Sequence, residues 1–289
     1  MNLVGPPTDL VAHALVDSLG ALAADDELTR HLWTARRLKA GTAVSVTDGA
    51  GSWRLARLGA PGELIPDGAV QSVATPDPVS VAFAPVKGER PEWCVQKLTE
   101  VGVDRIVVLQ TDRSVVRWKG DRGRGQVAKL ARVAKAALEQ CRRVWLPTIV
   151  GPCTLDELIG SVESVTDLVV DRPWVRADGS GRQASTEDRS LLIGPEGGFT
   201  PRERSLVTEA ISLGPHVMRA ETAAMVGGAQ LVALREYGER GDHGELSSAP
   251  LHCRGRGSTA AVVKGAAHAE VRVLDRRLGA IHRSKGTRR

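Results

Sequence analysis

The first 240 residues of the chain show two different patterns of hydrophobic and polar positions. Before about residue 75, apolar and polar positions alternate in short runs. Ala43–Thr47 (AVSVT) and Ser52–Leu58 (SWRLARL) predict two strands, because Asp48-Gly49 between them is a strong hairpin signal. Residues 28–39 have the spacing of a short helix that Gly41 would end. Residues 1–75 therefore predict a small β-barrel-like domain.

From residue 76, unbroken apolar runs alternate with helical patterns. The runs that predict strands are residues 79–85, Arg105–Gln110, residues 167–171 and Ser190–Ile193, and the helical patterns cover residues 92–101, 126–140 and 201–213. Strands that are apolar on both faces are typical of a parallel sheet that helices cover on both sides. Residues 76–240 therefore predict an α/β domain.

The last helical pattern, residues 222–236, is apolar nearly all round until Arg235, which predicts a buried helix. Its Gly227-Gly228 pair costs roughly 1 kcal/mol per glycine relative to alanine. A close approach by a neighbouring element would explain that cost.

Positive charge is concentrated at the end of the chain. The net charge is +5, but residues 243–289 carry ten Lys/Arg and three Asp/Glu, which leaves the rest of the chain at −2. Residues 241–289 have no clear periodicity, and we interpret them as a basic, disordered tail. The high isoelectric point therefore describes the tail, and it does not establish a nucleic-acid-binding body.

The cysteines and the hydrophobic runs bear on the compartment. The four cysteines are scattered without a CxxC pair, and no spacing fits a zinc site, so we expect reduced thiols and no metal. The first residues include Asp9 and Asp17 and do not resemble a secretion signal. No apolar run reaches the roughly 18 residues of a membrane span. These features predict a cytoplasmic protein.

The stretch LLIGPEGGFTPRE, residues 191–203, places a glycine turn between a strand and a helix. Phosphate-binding loops of this kind need a Lys-Ser/Thr pair or the spacing GxGxxG, and neither is present. Thr200, Pro201 and Glu203 predict a well-capped helix start. The glycines allow main chain to approach a ligand closely. A tight turn without a ligand is the alternative.

A second unusual turn, LGPHVMRAETAA, spans residues 213–224. It places Arg219, Glu221 and Thr222 at the start of the buried last helix, where charge is costly unless it is paired or functional. One interpretation is a structural Arg219–Glu221 ion pair with Thr222 as the N-cap. The other is a binding or catalytic site.

Residues 113–143 are rich in cations, with ten basic residues and only two acidic ones. Such a stripe is typical of a phosphate-contacting surface. A solvated helix face explains the same pattern equally well.

The two turns together resemble the RsmE family, the ribosomal RNA small subunit methyltransferase E group of the SPOUT superfamily. KGERPEWCVQKLTEVGVDRIVVLQTDRSVVR at residues 87–117, the EQ, RR and LP pairs between residues 139 and 147, and HLWTARRLKAG with TDGAG near the N-terminus are similar to that family as well. The likeness covers about residues 10–238 in the same order.

This resemblance implies a SPOUT-type α/β methyltransferase domain with a trefoil knot and an N-terminal PUA-like β-barrel domain. It also implies a homodimer that transfers a methyl group from S-adenosylmethionine to N3 of a uridine in 16S rRNA. The residues expected to bind the cofactor are Ile193, Gly194, Pro195, Glu196, Gly197, Gly198, Leu213, Gly214, Val217, Met218, Arg219, Thr222 and Ala223.

The same resemblance assigns the chemistry to Arg219, Glu221 and Glu196, with Arg219 stabilising charge on the base and the proton acceptor left open. The residues expected to contact RNA are Arg30, Arg36, Arg37, Lys39, Arg54, Arg113, Arg117, Arg142 and Arg143. Two alternatives stay open at this point. One is a SPOUT enzyme for tRNA or a ribose 2′-hydroxyl, and the other is a non-catalytic ribosome-assembly factor.

Overall fold

A computed structural model describes residues 5–160 and 173–241 of the chain, with side chains described as far as residue 238. The strands are β1 (His13–Leu15), β2 (Ala43–Thr47), β3 (Ser52–Leu58), β4 (Leu64–Ser72), β5 (Ser80–Phe83), β6 (Arg105–Gln110), β7 (Thr148–Thr154), β8 (Trp174–Arg182), β9 (Ser190–Ile193) and β10 (Ala210–Ile211). The helices are α1 (Asp26–Thr29), α2 (Arg90–Val101), α3 (Gly120–Cys141), α4 (Leu155–Ile159), α5 (Pro201–Leu206) and α6 (Ala220–Gly241).

The larger sheet contains six parallel strands in the order β10-β8-β9-β5-β6-β7. Its central strands are buried on both faces, with Val81 of β5 in register with Leu191 of β9 and Ile106 of β6. Continuous apolar runs form such strands because helices cover both sides of the sheet. The structure therefore confirms the α/β prediction.

The smaller sheet, in the order β1-β2-β3-β4, contains the predicted hairpin. Strands β2 and β3 pair in antiparallel fashion around the turn at Asp48-Gly49, and β1 lies parallel to β2. Helix α1 continues as a π-helical segment, Arg30–Ala35, which ends before the predicted residue 39. After this segment, Arg37 adopts a positive φ of 52°.

The two sheets belong to one compact unit that includes all described residues. Residues 144–146 pair with the β2–β3 hairpin, where Gly51 N–H donates to the Val144 carbonyl at 2.9 Å and Leu146 N–H donates to the Gly49 carbonyl at 2.8 Å. Buried His13 adds a contact between its Nε2 and the Arg143 carbonyl at 3.0 Å. The smaller sheet is therefore joined directly to the segment that follows α3.

Helix α6 packs closely on β9 and α2. A Cβ atom on Gly227 would come within 2.3 Å of Leu191 in β9, and one on Gly228 would come within 2.8 Å of Leu98 in α2. The close approach expected from the Gly227-Gly228 pair is confirmed.

Several element boundaries differ from the sequence predictions. The helix predicted for residues 201–213 ends at Leu206, because Val207 adopts an extended backbone and the chain then forms β10 beside β8. Strands β1, β4, β7, β8 and β10 and helix α4 were not predicted, and α3 begins at Gly120 rather than at residue 126. The strand predicted for residues 167–171 and nearly all of the predicted tail lie outside the described residues.

Candidate active site

The glycine turn lies at the carboxyl edge of the parallel sheet, directly after β9. Gly198 N–H donates to the Pro195 carbonyl at 2.8 Å, so residues 195–198 form a closed turn. Gly198 adopts a φ of +67°, which favours glycine. The turn is therefore built on a backbone conformation that few other residues adopt.

Helix α5 begins with the predicted capping box, which the structure confirms. The Thr200 hydroxyl accepts from Glu203 N–H, and the Glu203 carboxylate accepts from Thr200 N–H at 2.8 Å. Glu203 is fully buried and also accepts from Asp112 N–H at 2.8 Å. The capping carboxylate thus ties the start of α5 to the loop that follows β6.

The turn between β10 and α6 faces the glycine turn across a cavity of about 880 Å³. Ten of the residues predicted for the cofactor line this cavity: Ile193, Gly194, Pro195, Glu196, Gly198, Leu213, Gly214, Val217, Met218 and Ala223. Gly197, Arg219 and Thr222 lie outside its lining. The two turns that the sequence singled out therefore form opposite walls of one cavity.

Strand β8 and helices α5 and α6 contribute lining residues that sequence reasoning missed. The larger polar ones are Asp178, Gln183, Arg204 and Gln230. Gln230 has a sequence signal, because it is a polar residue in a nearly apolar helix. Asp178 has none, because β8 (WVRADGSGR) does not alternate like a strand.

The cavity lining contains two acidic side chains, Asp178 and Glu196, and one basic side chain, Arg204. Hydrogen bonds from the Ser180 backbone N–H and hydroxyl hold the pKa of Asp178 below its usual range. Asp178 also pairs with Arg176 at 2.5 Å, and Arg204 lies 3.9 Å from it. No lysine is among the described residues of the lining. This wall suits a ligand with polar edges and little net charge more than a polyphosphate.

The start of α6 differs from the structural interpretation offered by the sequence. The helix begins at Ala220, so Thr222 lies inside its first turn and is not the N-cap. Glu221 contacts Arg90 of α2, with Oε1 3.6 Å from Nε, instead of Arg219. Arg219 is exposed and makes no side-chain hydrogen bond or ion pair with the described part of the chain. The predicted Arg219–Glu221 pair is therefore wrong.

The cations predicted to contact RNA fall into two groups. Arg143 is largely buried, where it donates to Asp104 at 2.5 Å, and Arg142 donates to the carbonyls of Pro7 and Leu10. Arg54 donates to the Leu19 and Gly68 carbonyls. The exposed cations are Arg30, Arg36, Arg37, Lys39, Arg113 and Arg117. The contacts of Arg142, Arg143 and Arg54 indicate a structural role for these three side chains.

Within the described ranges, no helix is long and apolar enough to span a membrane. In the same ranges, no group of three or more His, Cys, Asp or Glu side chains is placed to hold a metal ion.

Comparison with known proteins identifies the family. A sequence model for an RNA methyltransferase domain matches residues 74–231. The chain is 31% identical over 241 residues to ribosomal RNA small subunit methyltransferase E of Mycobacterium bovis, covering 73% of this chain and 87% of that one. This chain belongs to the ribosomal RNA small subunit methyltransferase E family. The family's Synechocystis member is 30% identical and covers 71% of each chain.

Solved structures support the same fold. The putative methyltransferase from Legionella pneumophila in complex with the cofactor SAM has a TM-score of 0.65 at 23% identity, covering 77% of this chain and 96% of that one. Ribosomal RNA small subunit methyltransferase E from Neisseria gonorrhoeae bound to S-adenosyl methionine has a TM-score of 0.65 at 18% identity. The match covers 77% of this chain and 97% of that one. These structures support the fold, and the family model and the curated relatives confirm the resemblance seen in the two turn motifs.

Proposed function

We propose that this protein is an S-adenosylmethionine-dependent methyltransferase that acts on N3 of a uridine in 16S rRNA of the small ribosomal subunit. The observation that carries the proposal is the cavity between the turns 195–198 and 212–219. Family membership supplies the substrate class, since its named members act on small-subunit ribosomal RNA.

The cavity has the chemical character that the cofactor requires. Its lining combines turn backbone with apolar side chains such as Ile193, Leu213 and Met218, which suit a flat, neutral adenine. Asp178, Gln183 and Gln230 provide polar groups for hydroxyl and amino groups. When bound, S-adenosylmethionine supplies the electrophilic sulfonium methyl group.

Side chains of this protein would orient the uracil and accept its N3 proton. Arg219 has a guanidinium without described partners at the start of α6, so it is available to stabilise negative charge on a uracil carbonyl. Glu196 is exposed in the glycine turn and lines the cavity, which makes it the better placed acceptor for the N3 proton. Glu221 faces Arg90 and would act indirectly by fixing the first turn of α6.

Two groups of exposed cations would contact the RNA backbone. Arg30, Arg37 and Lys39 lie on the α1 side of the smaller domain, and Arg113 and Arg117 follow β6. Arg143, Arg142 and Arg54 are left out of this surface because they are partly buried and donate to carbonyl oxygens or Asp104, whereas Arg113 and Arg117 are exposed although they too donate to carbonyls. We infer that the smaller domain is PUA-like in its RNA contacts.

We further infer a cytoplasmic homodimer whose turn 212–219 belongs to a trefoil knot, as the family resemblance implies. Support for a second copy comes from the surface of α2 and α6. Trp93 of α2 is 39% exposed on this surface. A second copy packed there would cover the exposed part of the tryptophan.

The decisive experiment incubates the protein with small ribosomal subunits from a strain that lacks 3-methyluridine and analyses the nucleosides by mass spectrometry. We expect 3-methyluridine in 16S rRNA that depends on added S-adenosylmethionine. A methylated ribose would contradict the proposed substrate, and so would methylation of tRNA in a parallel incubation when the subunits stay unmethylated. Absence of any product together with no calorimetric binding of the cofactor would favour a non-catalytic assembly factor.

A further inference from the structure

The turn that follows β6, residues 111–114, packs against the glycine turn. Residues 111–114 (TDRS) follow β6, and the Ser114 hydroxyl accepts from Thr111 N–H at 2.9 Å. Asp112 N–H donates to Glu203, and the Asp112 carboxylate accepts from Thr200 at 3.1 Å. The turn 111–114 is thereby attached to the segment that directly follows the glycine turn.

Arg113 extends this contact to the glycine turn itself. Its Nη1 donates to the Gly197 carbonyl at 2.8 Å. The N–H of the same peptide group belongs to Gly198 and donates to the Pro195 carbonyl at 2.8 Å. The Gly197–Gly198 peptide is therefore held at both its oxygen and its nitrogen.

This double restraint matters because glycines flank the peptide on both sides. A peptide group between two glycines can rotate to face the other way at little steric cost, since neither residue has a Cβ. The Gly198 N–H contact alone restrains only one end. The Arg113 contact stabilises the orientation in which Glu196 and Gly198 line the cavity.

We propose that Arg113 is a positioning residue for the cofactor turn. This inference rests on the proposed function, because it assigns the turn 195–198 to the cofactor. Gly197 lies outside the cavity lining, so Arg113 acts through the Gly197–Gly198 peptide and not by touching the ligand. The sequence assigned Arg113 to RNA alone, and the contact to Gly197 gives it a role that needs no RNA.

The test measures cofactor affinity without RNA. Calorimetric titration of Arg113→Gln with S-adenosylmethionine should give a Kd about tenfold above the wild-type value, as expected for the loss of one charge-assisted hydrogen bond. The matched control is Arg122→Gln, which removes an exposed cation from α3 that has no side-chain contact among the described residues. Its Kd should stay within about twofold of wild type.

The outcomes separate this inference from the proposed function. A wild-type protein that binds no S-adenosylmethionine contradicts the function. A wild-type protein that binds, together with an Arg113→Gln variant of equal Kd and a raised KM for RNA only, makes Arg113 an RNA contact and overturns the inference. If Arg113→Gln melts at a lower temperature, Arg113→Lys decides, because it keeps the charge and a donor. A Kd that returns toward wild type supports the restraint, and a Kd as weak as that of Arg113→Gln overturns it.

Discussion

The guanidinium of Arg235 in α6 donates to the carboxylate of Asp104 at 2.6 Å, in a region where both side chains are at most 13% exposed. The same carboxylate pairs with Arg143 at 2.5 Å and accepts from Val79 N–H at 2.9 Å. One carboxylate therefore connects the end of α3, the start of β5 and the second half of α6. Arg143 has Asp104 as its acidic partner among the described residues, whereas Arg235 also pairs with Glu236 at 3.1 Å.

Replacing Asp104 with alanine should destabilise the protein by about 3–5 kcal/mol, because buried Arg143 would lose its acidic partner and buried Arg235 would keep only its pair with Glu236, which is 48% exposed. Urea unfolding monitored by circular dichroism measures the free energy of unfolding. The control is Asp67→Ala, which removes the exposed pair with Arg57 and should cost less than about 1 kcal/mol. If both substitutions lower the free energy of unfolding equally, the buried Asp104 pairs contribute no more to stability than the exposed Arg57–Asp67 pair.

Stability should fall in mild acid because of His13. Burial lowers the pKa of His13 from 6.5 to about 4, against an opposing contribution from its hydrogen bond to the Arg143 carbonyl. The unfolded chain therefore takes up this proton at a higher pH than the folded chain. The stabilisation is complete above pH 6.5 and is lost as the pH falls toward 4, by about 3 kcal/mol in total.

The measurement compares unfolding free energies of the wild type and His13→Gln between pH 7 and pH 4. The difference between the two proteins should shrink by most of that amount as the pH falls. His31→Gln, a change at an exposed side chain, should keep the wild-type profile. Parallel profiles for His13→Gln and the wild type would mean that His13 is not buried in its neutral form.

Adding a methyl group at Gly227 should loosen α6 from β9. The new Cβ would lie 2.3 Å from Leu191, so overpacking should cost about 1–3 kcal/mol even though alanine favours the helix. Gly238→Ala in the same helix is the control. Its Cβ would meet Thr186 at an ordinary 3.7 Å, so this variant should gain up to about 1 kcal/mol. Thermal melting of both variants tests the opposite signs.

Removing the Arg219 side chain should separate catalysis from cofactor binding. We expect Arg219→Ala to lower kcat by about 100-fold or more and to change the Kd for S-adenosylmethionine by less than about threefold, because Arg219 lies outside the cavity lining. Arg219→Lys keeps the charge and should recover part of the rate. Full activity of Arg219→Ala on small ribosomal subunits would remove the residue from the mechanism.

The sequence predicted those features that depend on local chemistry. The apolar runs predicted β6 and β9 with their observed bounds. A strand that is buried on both faces is a continuous apolar run, so its own residues are enough to identify it. Thr200 and Glu203 predicted their capping box from a spacing of three residues. The two turns that form the cavity were found because their glycines, proline and charges interrupt regular patterns.

The missed features depend on distant partners. Strand β8 contains Arg176 and Asp178, whose charges become acceptable only through their mutual pair and the carbonyls of Val207 and Thr208. Arg143 belongs to a basic stretch that resembles a solvent-facing surface. It is nevertheless largely buried, because it pairs with Asp104, which is distant in sequence. Helix α5 ends early because Val207 joins the core beneath β9. None of these outcomes is encoded within a short window.

The pairing of residues 144–146 with the β2–β3 hairpin has a consequence for substrate selection. A flexible tether between two RNA-contacting parts would let each engage a different stretch of nucleic acid. Here the smaller sheet is hydrogen-bonded to the segment that follows α3, so the distance from its surface to the cavity is set by the fold. With the proposed RNA contacts, the protein would select RNA whose folded shape presents a uridine at that one distance from the bound phosphates.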